Sequence, residues 1–282
     1  MTGISRQGFH QKLERYMEQE SELIYLEEIL LQIRSDHPKI SLRDIYWMTS
    51  PLYVGRDKFE RYFIKKGYQV LKVRSYIRTT NSRGTIRFPN LVSGKELTDI
   101  NQVWVSDITY YQLSSKTYYL TFIMDLYSRR ILGYSCSKTL KTIDTTMVSI
   151  KKAINLRKTS LEGLIFHSDG GGQYYSNKFT GLISRKGIQS SMGEIVYENA
   201  YAERLNGVIK NNYLNPYHPT NYKELKQALK KAVKMYNTQK PHSKLGRKSP
   251  VKFEQELGIK INKNKFNTFV KPISKPVNAI QA

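Results

Sequence analysis

Cysteine is almost absent: Cys136 is the only one in 282 residues. An internal disulfide is impossible, and a secreted disulfide scaffold is excluded. The plain reading of Cys136 is a small buried residue on a strand. No apolar run reaches the length needed to span a membrane. The start, Met1-Thr2-Gly3-Ile4-Ser5-Arg6, lacks the apolar core of a secretory signal. Together these absences point to a reducing, cytoplasmic setting. Acids are scarce as well, 23 Asp and Glu against 46 Lys and Arg, for a net charge of +23.

That imbalance names a class of partner. A chain this basic is expected to meet a polyanion. The 21 tyrosines interleaved with the cations add aromatic faces suited to nucleic-acid backbones and unpaired bases. A membrane surface fits less well, because no segment is both strongly amphipathic and anchored by bulky apolar residues. A hydrophobic content of 39% marks a globular chain rather than a disordered one.

Residues 1–90 read as mainly helical. Leu23, Ile24, Leu26, Ile29, Leu30 and Ile33 form a helical stripe across 21–35. Ser41 followed by Asp44 opens a short helix. After the break at Thr49-Ser50-Pro51, residues 56–66 show Phe59, Phe63 and Ile64 on one face, with Arg56, Lys58 and Arg61 elsewhere. Helix, turn and basic helix is a possible DNA-reading unit; an ordinary bundle with a solvated basic face explains it equally well. Residues 71–98, with Lys72, Arg74, Arg78, Arg83 and Arg87, read as a basic linker.

Near Asn101 the period changes. Strands are expected over 102–110, 117–126, 130–137, 163–168 and 188–192, and helices over 142–156, 176–186, 199–213 and from Asn221 onward. This is a mixed α/β layout occupying 91–262 and ending in a C-terminal helical segment, with residues after Gly258 expected to be loose and a basic tail over 263–282.

Against so basic a background, acids in apolar surroundings stand out. Asp107 sits within Val103-Trp104-Val105-Ser106-Asp107-Ile108. Asp169 ends Leu164-Ile165-Phe166-His167-Ser168-Asp169, and Glu203 opens a helix. A buried carboxylate is costly without positive compensation, so these acids suggest a divalent-metal site. Two such ions can activate a nucleophile and neutralise charge at a phosphodiester. Lys210, seven residues after Glu203, lies on nearly the same helix face and could follow a DNA strand; spacing alone equally allows a solvated lysine. Asp125 fits a turn role better, Asp144 a helix first turn, and Glu194 and Glu198 cap roles, with Glu203 only modestly preferred over Glu198. Gly170, Gly171 and Gly172 lack the Lys-Ser/Thr of a nucleotide loop, so ATP is rejected; they are expected to allow a sharp turn and close approach. His167 suits a structural place on the same strand face.

Five ordered motifs carry a family resemblance. They are Trp104–Tyr110, Asp125–Gly133, His167–Tyr174, Tyr197–Glu203 with Lys210 beyond it, and Tyr236–Gly246 followed by Ser249-Pro250. In these residues the chain resembles the catalytic OrfB subunit of bacterial insertion-sequence transposases with a retroviral-integrase-like DDE core. Ile4–Phe9 is similar to the start of such subunits. Two departures are visible: 33 residues separate Asp169 from Glu203, two fewer than the family's usual spacing, and Gly170 replaces a usual arginine.

The resemblance implies an RNase H-like integrase core, a mixed five-stranded sheet with flanking helices, preceded by a helical DNA-binding domain. It implies that Asp107, Asp169 and Glu203 are the catalytic acids and hold two Mg²⁺ (or Mn²⁺) ions. Lys210, Arg204, His242, Lys240, Gln173, Tyr174 and Asn199, with Arg56, Lys58 and Arg61 of the basic helix, are expected at DNA. The partners implied are terminal inverted repeats, target DNA, further copies of the chain, and an accessory OrfA-type subunit or fusion, in the bacterial cytoplasm at the nucleoid. The competing readings are an RNase H-like nuclease or resolvase that cuts without joining, and a DNA-binding regulator without catalysis.

Overall fold

The computed structural model describes residues 3, 5–71, 88–193 and 199–266, with side chains given up to Gly258. Most of the basic linker, Glu194, Glu198 and the final segment from 267 lie outside these residues.

Three helices form the first unit: α1 (Arg6–Asp36), α2 (Leu42–Thr49) and α3 (Arg56–Lys65). The Ser41 hydroxyl accepts the Asp44 N–H at 3.1 Å, the cap expected from the sequence. Glu22 closes the turn before α3 by accepting the backbone N–H groups of Leu52, Tyr53 and Val54 at 2.7–2.9 Å. Leu23, Leu26, Leu30, Ile45, Phe59 and Phe63 are the core of this unit. Helix α1 begins fifteen residues earlier than the 21–35 stripe predicts. Its first half buries no apolar side chain, so no periodic signal marks it. Ile24, assigned to the stripe, is exposed.

The second unit is built on a five-stranded sheet of order β3-β2-β1-β4-β5. Its strands are β1 (Val103–Leu113), β2 (Lys116–Asp125), β3 (Ile131–Ser137), β4 (Ile165–Ser168) and β5 (Gln189–Met192). The first three make an antiparallel meander, and β4 and β5 run parallel to β1. Both faces are covered, which is why β1 and β4 read as nearly unbroken apolar runs. On one face α4 (Thr146–Arg157) and α5 (Asn177–Ser184) pack on Trp104, Ile123 and Phe166. On the other, α6 (Ala200–Ile209) and α8 (Tyr222–Thr238) pack on Val103, Val105, Phe122 and Met124. Gly133 lets α4 lie against β3: a Cβ there would stand 2.0 Å from the Ser149 carbonyl oxygen.

Helix α6 continues through a π-helical turn, Lys210–Leu214, into the short α7 (Asn215–Tyr217). Helix α4 starts at Thr146 rather than 142, because residues 142–145 are turn. The expected loose tail is corrected as far as Phe266: α9 (Pro250–Phe266) runs past Gly258. It is anchored by Glu254, which accepts from Ser128, Arg130 and Arg157. Arg157 also reaches the fully buried Asp125 at 3.1 Å. Asp125 further accepts the N–H groups of Asn101, Tyr127 and Ser128, which explains an acid at that turn. Among the described residues, no helix is long and apolar enough to cross a membrane.

Candidate active site

The β1–β4 register decides where the first two acids lie. Ser106 pairs with Ser168, so Asp107 and Asp169 are the next residues along two neighbouring parallel strands. Asp107 is half-buried. Its Oδ1 accepts the Ile108 N–H at 2.8 Å and its Oδ2 accepts Asn206 Nδ2 at 2.7 Å. Burial first, then the charges of Asp169 and Glu203, push its carboxyl up to about 7 against the pull of those two donors. Asp169 lies just past β4, with the Gly171 N–H 3.3 Å from Oδ1. Burial raises its carboxyl above the ordinary range. Glu203 stands in the first turn of α6, raised by burial and then by Asp169. The three carboxylates therefore feel one another's charge. Among the described residues, no three acid, His or Cys side chains have already closed on a shared point.

Beneath the acids is a hydrogen-bonded support. Asn199, buried at the foot of α6, donates to the Ser106 carbonyl at 3.0 Å and so ties the Glu203 helix to the Asp107 strand. The Ser106 hydroxyl meets the Tyr174 hydroxyl at 2.8 Å. His167 Nδ1 pairs with the Ser191 hydroxyl at 2.9 Å, which also accepts the Leu91 N–H. Lys210 Nζ donates to Thr109 Oγ1 at 2.9 Å, two residues from Asp107 on the same strand. Burial lowers its ammonium pKa, while Asp107 acts to raise it.

The glycines serve close approach rather than a turn through positive φ. None of Gly170, Gly171 and Gly172 adopts positive φ. Close approach is the reason instead: a Cβ at Gly170 would stand 2.9 Å from Met192 Cε, and one at Gly171 3.2 Å from Asp169 Oδ1. Met192 thus occupies the space that a side chain at the departed arginine position would need.

The residues expected at DNA separate into two groups. Tyr174 is 3% exposed and Asn199 4% exposed; the Tyr174 hydroxyl and the Asn199 Nδ2 are spent on Ser106. In the structure both support the strand that carries Asp107. His242 is largely covered beside Tyr236, the ring centroids 4.8 Å apart, and burial drives its imidazole to about 3. Lys240 is largely buried against Asp44 at 3.7 Å. Arg204 is exposed on α6 and Gln173 half-buried beside Gly171. Arg56 and Arg61 are exposed on α3, Arg56 pairing with Asp57, while Lys58 turns back to Gln19 and Glu20 of α1. These three lie in the first unit, apart from the acids. Asn206 and Ser106 had not been singled out; the signal for Asn206 is its place one helical turn after Glu203.

Comparison with known proteins supplies the family. The Integrase core domain family matches residues 98–196, and a second Integrase core domain family matches 188–250. The chain is 33% identical over 171 residues to the transposase for insertion sequence element IS904 of Lactococcus lactis, covering 59% of this chain and 67% of that one. The chain belongs to the insertion-sequence transposases with an integrase core. A 31 kDa uncharacterized protein of insertion element IS600 from Shigella sonnei is 29% identical over 265 residues, covering 90% of this chain and 96% of its own. The putative transposase of IS986/IS6110 from Mycobacterium tuberculosis is 32% identical over 161 residues, and the chain spans 58% of that relative's length. Among solved structures, the HTLV-2 integrase catalytic core in complex with magnesium is 26% identical, with a TM-score of 0.45 over 54% of this chain and 95% of that one. Within this family of transposases, the mixed sheet and its two helix layers are the integrase core: Trp104–Tyr110 lies in β1, Asp125–Gly133 spans the β2–β3 turn, His167–Tyr174 runs past the end of β4, Glu203 stands on α6, and Tyr236–Gly246 runs on from the end of α8.

Proposed function

We propose that this transposase cleaves and joins DNA at the ends of an insertion sequence, with Asp107, Asp169 and Glu203 as its catalytic acids. One observation carries the assignment. Two acids follow paired residues of parallel strands and a third opens the adjoining helix; Asp107 is half-buried, Asp169 and Glu203 are open to solvent on one side, and each carboxyl is raised, first by its partial burial. Such a set is poorly stable alone and is relieved by a cation.

The donors are all hard carboxylate oxygens, so they fit Mg²⁺ or Mn²⁺ rather than a softer metal. The three acids would hold two such ions, which when bound supply nucleophile activation and neutralisation of phosphoryl charge. The chain's own residues do the positioning. Asn206 and the Ile108 N–H fix the two Asp107 oxygens, the Gly171 N–H orients Asp169, and Asn199 keeps α6 against β1. Lys210, held over β1 by Thr109, offers a cation to the bound strand. Water attacks the phosphodiester at the element end and frees a 3′-hydroxyl. That hydroxyl then attacks a second phosphodiester, so one P–O bond is broken for each one made.

The same proposal places terminal-repeat and target DNA as substrates, several copies of the chain assembled on them, an accessory OrfA-type subunit or fusion, and action in the bacterial cytoplasm. It extends to the domain division at 1–90, 91–262 and 263–282. The test is nicking and joining of a terminal-repeat duplex with Mg²⁺. Asp107→Asn, Asp169→Asn and Glu203→Gln should each lower the rate by about a thousandfold or more. Full activity in any of them removes that residue from the site, and nicking without joined product supports a nuclease instead.

A further inference from the structure

A cluster of cations lies where the first unit meets the catalytic unit. Arg129, at positive φ in the turn between β2 and β3, holds its guanidinium carbon 4.2 Å from the centre of the Tyr201 ring. Arg204 follows Tyr201 by one turn on α6, the same helix face. Lys240 and Arg247, from the chain after α8, both approach Asp44 of α2, at 3.7 and 3.9 Å. Arg247 also lies 5.7 Å from the Trp47 ring centre. These groups act on one another. Burial lowers the Lys240 pKa, Asp44 raises it, and Arg204 and Arg247 lower it again. Lys240, Arg129 and Arg204 all repel a proton from His242, in addition to its burial.

The cluster is short of negative charge. Asp44 is the one carboxylate within ion-pair distance of any of its four cations among the described residues. Arg129 Nη1 and His242 Nε2 are fully enclosed and have no hydrogen-bond partner there. An enclosed nitrogen left unpaired is unfavourable, and an uncompensated cation more so. The Tyr201 and Trp47 side chains beside the cluster remain open to solvent, at 49% and 43% exposure. Guanidinium groups, an ammonium and two exposed rings match a phosphate with its attached sugar and base.

We propose that Arg129, Arg204, Lys240 and Arg247 form a binding site for one phosphodiester of a DNA strand, at the joint between the two units. The assignment to DNA rests on the transposase reading, because the site shares α6 with Glu203. An anion seated there draws on residues of both units, so DNA binding fastens the first unit to the catalytic helix.

The experiment uses the full chain carrying Asp107→Asn, without metal, so that no cleavage enters. Binding of a labelled terminal-repeat duplex is followed by fluorescence anisotropy over a salt series. Melting is followed with and without inorganic phosphate. Arg129→Gln and Arg247→Gln should each weaken duplex binding about tenfold and lower the salt slope by about one. Inorganic phosphate should raise the melting temperature of the parent but not of the double variant. Arg247→Gln, on a side chain one-third exposed, carries the test alone if Arg129→Gln does not fold. Unchanged duplex affinity and salt slope overturn the site. Phosphate stabilisation lost in the variants while duplex binding is kept overturns DNA as the ligand. Failure of the transposase reading shows separately, as a wild-type chain that neither nicks nor joins with Mg²⁺.

Discussion

Asp107 is under two opposed demands. Its carboxyl must be charged to hold a cation, yet burial and the neighbouring Asp169 favour the protonated form, at about 7. An acid raised in the folded state contributes stability that is complete below its ordinary value and is lost as pH rises through the folded one. The metal-free protein should therefore lose stability between about pH 4 and pH 7 on account of this group. Asp107→Asn should remove that loss, raising stability at pH 8 on the order of 1–3 kcal/mol while abolishing activity. Thermal unfolding of both proteins across this range in a chelator checks it; parallel curves would mean that Asp107 does not carry the proton. At this scale the sequence was legible in part. Asp107 and Asp169 stand out because an acid beside Trp104 or Phe166 conflicts with its surroundings. Asn206 does not, and the bond of Asn199 to β1 does not either, because an asparagine in a helical segment conflicts with nothing until its partner strand is known.

Elements were legible where burial imposes a period. The strands of the sheet fall close to their expected places because both faces are covered and the apolar runs end at turns. What escaped lacked such a signal: the exposed first half of α1, the π-helical turn after Ile209, and α9. Helix α9 is held less by an apolar stripe than by Glu254, whose carboxylate meets Arg157 at 2.7 Å and Arg130 at the turn between β2 and β3. Burial pushes the Glu254 carboxyl up, but Arg157, Ser128 and Arg130 outweigh it and hold it below the usual range. An acid lowered in this way stabilises above its ordinary value and stops doing so as pH falls through the folded one. Glu254→Gln leaves Asp125 as the one carboxylate on Arg157 and takes away the carboxylate that Arg130 meets. It should cost about 1.5–3 kcal/mol, the range for charged hydrogen bonds, because Arg157 keeps Asp125. Denaturant unfolding measures this; a loss below about 1 kcal/mol would show that α9 is not fastened through Glu254.

Across the whole molecule, several contacts join the α1–α3 unit to the catalytic core, and one of them is fixed by few atoms. His37, buried at the end of α1, pairs through Nδ1 with the Tyr213 hydroxyl and through Nε2 with Gln239, each at 3.0 Å. Tyr213 belongs to the π-helical turn that begins at Lys210, and the Tyr217 hydroxyl donates to the Asp36 carbonyl beside it. The first unit is thus tied to the same helical segment that carries Glu203 and Lys210, and its orientation toward DNA is set from the catalytic side. Burial lowers the His37 pKa, against the pull of Gln239 and Asp36. A histidine held neutral in the folded state keeps its full stabilising effect above about 6.5 and loses it as pH falls below that value. In a double-mutant cycle, His37→Ala and Tyr213→Phe should couple by about 1 kcal/mol. Amide exchange in α2 and α3 should quicken in either variant, and in the wild type at pH 5.5 relative to 7.5 after correction for intrinsic rates, while exchange in β1, β2 and β4 stays unchanged. Additive effects, or equal quickening in the sheet, would place the joint elsewhere and leave the orientation of the first unit independent of α6.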